Sequence, residues 1–290
     1  MPADTAHTVD PSPQEFAGDT YRQTARRLFH ATRPKFVPAS LLPVVAGTAW
    51  GFSATDSFGS LVFVLALFAT VCVHGASNVL NDVGDDAGGT DRQNDDRVYP
   101  YTGGSRFIQT GIMSASEMAR WGITLLAMAA VAGGVLIALK GPVVLYFGLA
   151  GVALCVLYSL GPARLASLGI GETAGAIGFG VIPVAGAAWL QGAALDSELL
   201  LFSIPISAWV TAILLINEVP DVAADGATGK RTLPVRLGLT GTAVVYVLLH
   251  VTAAVATGWL AYKNALPLLA PLVPTALLVL AFRSGATIRV

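Results

Sequence analysis

Long apolar runs broken by short polar stretches dominate this 290-residue chain. A helix that crosses a bilayer needs about twenty mostly apolar residues. Eight runs approach that length: Phe36–Phe52, Phe58–Leu80, Ile123–Leu139, Val143–Leu160, Leu168–Leu190, Leu199–Ile216, Ala243–Ala261 and Leu266–Phe282. The fifth is Gly-rich and carries Glu172 near its start. The pattern predicts an all-α, polytopic transmembrane helix bundle. Ahead of it, residues 1–28 are polar and rich in Pro, Thr and Asp, and they lack the apolar core of a secretory signal. They are expected to be a disordered arm, with residues 29–290 forming one transmembrane domain.

Composition agrees. Hydrophobic residues make up 54% of the chain and charged ones 12%, with a mean hydropathy of +0.67. That is about half the charged fraction of a soluble domain. The 31 glycines suit helices that pack closely in lipid. A net charge of −1 gives no footprint for nucleic acid. Cys72 and Cys155 sit inside apolar runs and read as small packing residues.

The basic residues sort by side. Fifteen of the 17 Lys and Arg fall in the N-terminal arm, the second-to-third, fourth-to-fifth and sixth-to-seventh connections, or the C-terminal tail. Only Lys140 and Lys263 fall on the opposite side. Positive charge marks the cytoplasmic face, so both termini and the even-numbered connections are expected there, in an integral, multi-pass protein of a prokaryotic cell membrane.

Two acidic clusters lie on that same side. "SNVLNDVGDDAGGTD" (Ser77–Asp91) closes the second run. If the helix continues through it, Asn78, Asp82 and Asp85 fall at i, i+4 and i+7 on one face, and Asp91 follows in a loop. "NEVPDVAADGATGKR" (Asn217–Arg231) closes the sixth run, with Asn217, Asp221 and Asp225 at i, i+4 and i+8. Pro220 marks a kink or restart there. Carboxylates facing one another across a bundle are costly unless cations join them. Mg²⁺ suits this setting, because it takes carboxylate oxygens and shares its shell with phosphate and water. Neighbouring Lys and Arg can grip the same phosphates. Solvated loop acids are the bland alternative, weakened by the recurrence of an Asn-led cluster. A cation pathway is another, but transport acids usually sit near the bilayer midplane, whereas these sit at helix ends.

These residues resemble the UbiA superfamily of intramembrane prenyltransferases, which carry one Asp-rich motif after the second helix and one after the sixth. "NDVGDDAGGTD" (Asn81–Asp91) follows the form N-D-x-x-D-x-x-x-G-x-D, which is similar to the 1,4-dihydroxy-2-naphthoate prenyltransferase branch. "RPKFVPASLLPVVAGTA" (Arg33–Ala49), "GGSRFIQTG" (Gly103–Gly111), "LYSLGPARLASLGIGE" (Leu157–Glu172) and "GKRTLPVRLG" (Gly229–Gly238) resemble further segments of that branch. The resemblance implies helices around a central cavity, usually nine, one more than the eight runs read here.

It also implies a reaction: transfer of a polyprenyl group from an allylic diphosphate to an aromatic acceptor, with 1,4-dihydroxy-2-naphthoate and loss of CO₂ favoured, in menaquinone biosynthesis. Hydroxybenzoate, another naphthoate or a glycerol ether lipid are the alternative acceptors. The cofactor implied is Mg²⁺, two ions, one on Asp82 and Asp85 and one on Asp221 and Asp225. Asn78, Asn81 and Asn217 are expected to contribute amide oxygens or orient these acids, and Asp91 to bind metal or orient a basic group. Arg106 and Lys230 are candidates for diphosphate contacts, with Arg231 a weaker one. Arg33 or Lys35 is a candidate for the acceptor carboxylate. Tyr158 and Glu172 are candidates for shaping the acceptor site, and His74 lies one turn before Asn78.

Overall fold

The structure, a computed structural model, describes residues 10–94, 96–160 and 164–288, with the backbone alone at 286 and 287. Its helices are α1 (Tyr21–Ala31), α2 (Pro38–Thr55), α3 (Ser60–Gly88), α4 (Thr90–Gln93), α5 (Ala115–Lys140), α6 (Val143–Ser159), α7 (Gly171–Gly175), α8 (Ile182–Leu190), α9 (Ser197–Glu218), α10 (Val222–Ala227), α11 (Leu233–Tyr262) and α12 (Leu272–Ile288). A π-helical stretch, Ala176–Val181, joins α7 to α8, so the Gly-rich fifth run forms one span, Gly171–Leu190. Among the described residues, six spans are long and apolar enough to cross a membrane, and α6 and α12 are shorter apolar helices.

The eight runs therefore appear as helices, with two instructive differences. The run expected at Leu266 begins as helix only at Leu272. Pro267 and Pro271 lack the N–H a helix interior needs. In the other direction, α3 runs eight residues past Leu80, to Gly88, and carries the first acidic cluster on helix. It stops where Gly89 turns left-handed at φ 81°, a conformation that favours glycine. Asp91, expected in a loop, lies in the single turn of α4 and is buried.

Neighbouring helices pair α3 with α5, α2 with α8, and α9 with α11, against which α12 also lies. Small residues permit the approach. A Cβ on Gly51 of α2 would stand 2.7 Å from the Ala188 carbonyl of α8, closer than side-chain packing allows. Outward positions such as Ile123, Val131, Tyr146 and Val255 stay exposed, as lipid-facing side chains do.

The arm differs from the expected disorder from residue 10 onward. Thr20 and Gln23 form a capping box that starts α1. Phe16 is buried with Ala31, Val79, Phe107, Met113 and Met118. Asp10 pairs with Arg97 at 2.7 Å and with Arg106 at 3.6 Å. Polar composition suggested a solvated tail, but one aromatic and one acid suffice to tie it to the loop after α4. His7 and Arg289 lie outside the described residues.

Candidate active site

The two acidic clusters meet at one end of the bundle. Asn78, Asn81, Asp82 and Asp85 all project from the last turns of α3. The second cluster is split: α9 ends at Glu218, the chain turns through Pro220, and Asp221 begins α10, which carries Asp225. The predicted restart at Pro220 is present. Lys230 joins the halves, with its Nζ 3.5 Å from Asp85 and 3.4 Å from Asp225. The hydroxyls of Thr90 and Thr228, one from each side, lie 2.9 Å apart.

The loop between α4 and α5 ties the same halves together. Asn94 donates to Asp221 at 2.7 Å, and the Gly103 N–H reaches the other Asp221 oxygen at 3.4 Å. Ser105 donates its N–H to Asp82 at 3.1 Å and its hydroxyl to the same oxygen. Arg33 completes Asp82 with an ion pair. Asn81 donates to Asp85 at 3.1 Å and to the Ser159 hydroxyl at 3.0 Å.

Gly104 stands at the centre of this closure. Its φ is 79°, and a Cβ there would meet Asp82 Oδ1 and Asp91 Oδ2 at 3.0 Å and Arg33 Nη2 at 3.1 Å. Only glycine lets the backbone pass so near two acids. Gly104→Ala is expected to lower stability by about 1–3 kcal/mol, the cost of a left-handed non-glycine, and to reduce turnover, because the added methyl would push the loop away from Asp82 and Asp91. Thermal unfolding and steady-state rates on the same preparation check this.

Burial sets the electrostatics. Asp82, Asp91 and Asp225 are 2%, 3% and 1% exposed. Burial, reinforced by Asp85, pushes the Asp91 carboxyl up to about 7. Burial, against the pull of Lys230, holds Asp225 at about 6, and burial also raises Asp221. Burial alone would lower Lys230, but Asp85 and Asp225 outweigh it and the ammonium is held well above its ordinary range. An acid whose folded value is raised holds its proton better folded than unfolded, so it favours the fold below its ordinary value and loses that contribution as pH climbs through the raised one. Without metal, unfolding temperature is therefore expected to fall between about pH 4 and pH 7. A flat profile in chelator would contradict this charge arrangement.

Among the described residues, no three Asp, Glu, His or Cys side chains converge as a ready-made metal cage. The donor chemistry fits Mg²⁺ nonetheless, since this ion takes one or two protein carboxylates and fills its shell with phosphate and water. Both Asp225 oxygens lack a hydrogen-bond partner, which leaves a buried hard-oxygen ligand available. Asp82, by contrast, is already occupied by Arg33 and Ser105.

Other predicted residues fall further out. Asn78 donates to the Thr32 carbonyl at 2.9 Å and so anchors the chain before α2. Asn217 is half-buried, and its side chain makes no hydrogen bond among the described residues. Arg106 is buried but donates to the Asp91 carbonyl and faces Asp10. Arg231 is exposed, and its backbone pairs with Ser167. Lys35 lies over the Tyr101 ring at 5.6 Å. His74 is hydrogen-bonded to Ser40 and edge-on to Phe179, a structural role. Asn94, Gly104 and Ser105 were not singled out by sequence. An Asn between two charged stretches and a Ser after paired glycines carry no local signal of the acid they will bind. A groove of about 470 Å³ opens elsewhere, between Arg27 of α1 and Trp121 of α5, and none of the clustered acids lines it.

Known proteins bear on this arrangement. The 1,4-dihydroxy-2-naphthoate octaprenyltransferase of Haemophilus influenzae is 31% identical over 261 residues, covering 83% of this chain and 82% of that protein. The enzyme of the same name from Mycobacterium tuberculosis is 32% identical, covering 78% of this chain and 74% of that protein. A UbiA homolog from Archaeoglobus fulgidus, solved bound to DMAPP and Mg²⁺, superposes with a TM-score of 0.69 over 91% of this chain and 87% of that one, at 17% identity, and so shares the fold. The family profile described as the UbiA prenyltransferase family matches residues 40–288. With that match over most of its length and paired acidic clusters at one end of an all-helical bundle, the chain belongs to the UbiA prenyltransferase family, an enzyme class rather than the cation transporters its acids alone would also have fitted.

Proposed function

We propose that this enzyme transfers a polyprenyl group from an allylic diphosphate to 1,4-dihydroxy-2-naphthoate, with loss of CO₂, in menaquinone biosynthesis, on the cytoplasmic side of a prokaryotic membrane. The observation that carries the reading is the junction of both acidic clusters through Lys230, which touches Asp85 and Asp225 at once. The names of the relatives favour the naphthoate over hydroxybenzoate or a glycerol ether lipid.

Asp82 and Asp85 would hold one Mg²⁺, and Asp221 and Asp225 a second. Bound there, Mg²⁺ supplies neutralising charge for the departing diphosphate. Lys230 gives a fixed cation to the same phosphates, at a buried position where such a charge counts for more than in water. Arg33, which pairs with Asp82 here, would supply a second cation beside the same phosphates. Arg106 holds the Asp91 backbone in place, and Asp91 lies within reach of Gln109 at 3.4 Å. Asn81 orients Asp85, Asn78 fixes the approach to α2, and Asn217 remains open for a ligand oxygen. Arg231, exposed, is left out of this set. The closing loop Gly103–Arg106 excludes water from the reacting carbon, where an allylic cation would otherwise be quenched.

The test is turnover in lipid with geranylgeranyl diphosphate and a panel of acceptors, reading prenylated product and CO₂ with Mg²⁺ and with EDTA. Product with CO₂ from the naphthoate, lost on chelation, is expected. Product from hydroxybenzoate or a glycerol phosphate instead would overturn the acceptor. Undiminished product in EDTA would overturn the metal.

A further inference from the structure

One acid of the N-terminal arm reaches the loop that lies over the aspartates. Asp10 presents both carboxylate oxygens to Arg97, at 3.2 Å from Nε and 2.7 Å from Nη2, across 87 residues of sequence. The same Oδ2 lies 3.6 Å from Arg106 Nε, a buried atom with no hydrogen-bond partner among the described residues. An exposed ion pair on a surface arm contributes little. This one is different: the side chains of Asp10, Arg97 and Arg106 are only 24%, 20% and 10% exposed, and the Arg97 pairing is two-pronged, the geometry that makes such bonds strong.

Each arginine acts on a different acidic cluster. Arg97 Nη1 donates to the Asn94 carbonyl at 2.6 Å, and Asn94 donates its side-chain amide to Asp221 Oδ1. The stem of Arg97 lies against Gly103, where an added Cβ would stand 2.8 Å from Arg97 Cβ. Gly103 sends its N–H to Asp221 Oδ2. Asn94 and Gly103, one on each oxygen of Asp221, therefore both rest on Arg97. Arg106 donates to the Asp91 carbonyl and follows Ser105, which donates to Asp82. The Arg106 backbone is left-handed at φ 65°. A side-chain-bearing residue keeps that conformation only where its surroundings over-determine it, and the Asp91 carbonyl and Asp10 do so here.

A carboxylate that ligates a metal is aimed by its outer hydrogen-bond partners, and losing them typically weakens metal binding about 10–100-fold. We propose that Asp10 and Arg97 form a clasp that fixes this loop and, through Asn94 and Gly103, holds Asp221 in the orientation that takes Mg²⁺. Both are positioning residues: they act on the metal site through other groups. The inference rests on the reading above that Asp221 is a metal ligand, and it gives the arm a part in the chemistry as well as in packing.

Asp10→Asn keeps the shape and removes the charge. Two measurements on the full chain in lipid test it. In EDTA, hydrogen exchange at the Gly103 and Ser105 amides is expected to quicken about tenfold or more, while exchange in α5 stays as in wild type, the mark of local rather than global opening. In binding of a non-hydrolysable thio analogue of geranylgeranyl diphosphate, the Mg²⁺ concentration for half-maximal binding should rise about tenfold or more, with full binding recovered at high Mg²⁺. Arg97→Lys keeps a cation but loses the fork, so it cannot hold Asp10 and the Asn94 carbonyl together. It should show the same two shifts, and it carries the test if Asp10→Asn fails to accumulate. Glu15→Gln breaks the neighbouring 2.7 Å pair with Arg26 on the same arm and should move neither quantity. Wild-type loop exchange and Mg²⁺ requirement in both clasp variants would overturn the inference, as would faster exchange throughout the protein with an unchanged Mg²⁺ requirement. Donor binding by wild type that is indifferent to Mg²⁺ would overturn the metal reading and this role with it.

Discussion

Asp225→Asn is expected to reduce prenyl transfer by roughly 10³-fold, at the upper end of what one charge-stabilising group contributes, while leaving the protein as stable as wild type or slightly more so. The two effects separate because of how Asp225 sits. It is 1% exposed, and among the described residues both its oxygens are unpartnered by hydrogen bonds and its one ion pair, to Lys230, is shared with Asp85. Without metal it is a liability to the fold; on the proposed reading it would be a ligand once metal and diphosphate bind. The isosteric amide removes the liability and the ligand together. Asp82→Ala should behave differently. It strands Arg33 and two donors from Ser105, and breaking a buried pair this way costs about 3–5 kcal/mol, so that variant should lose stability along with activity. Rates and unfolding temperatures measured side by side distinguish the two. Asp225→Asn turning over within about threefold of wild type would remove the second cluster from the metal site.

Lys230→Met carries the other large effect. The methionine keeps most of the volume but removes the cation between Asp85 and Asp225. Two carboxylates then face each other unneutralised. Destabilisation of about 3 kcal/mol is expected in chelator, the lower end for a broken buried pair, because Asp85 is 21% exposed and water screens part of the charge. Mg²⁺ should recover part of that loss by taking the place of the ammonium, and turnover should stay low because the diphosphate has lost a partner. Arg231, the next residue, cannot substitute: it is exposed, and its carbonyl is held by Arg236. Equal unfolding temperatures for variant and wild type in chelator would show that Lys230 does not neutralise the cluster.

The bundle was legible because lipid imposes a simple rule on composition, and each apolar run became a helix. Ends were less legible. Pro267 and Pro271 delayed α12, and favourable helical register carried α3 on through its acids to Gly88. Within the site, Asp82, Asp85, Asp221 and Asp225 were readable as two clusters because carboxylates at helical intervals stand out in so apolar a chain. Their partners were not. Asn94 reaches Asp221 across 127 residues, and Ser105 reaches Asp82 from a separate loop; no periodicity encodes such contacts. Arg33 showed why a local reading misleads: beside Lys35 it resembles an ordinary interfacial anchor, yet it is the ion-pair partner of Asp82. Arg231 shows the converse, adjacent in sequence to Lys230 but turned away from the acids.

The central claim is that both acidic clusters form one metal-dependent diphosphate site. Calorimetric titration of the purified protein in lipid with a non-hydrolysable thio analogue of geranylgeranyl diphosphate tests it most directly. Wild type should bind with Mg²⁺ and not with EDTA, and Asp85→Asn and Asp225→Asn, one from each cluster, should each abolish that binding. Full Mg²⁺-dependent binding in either variant, or binding that survives chelation in wild type, would contradict it.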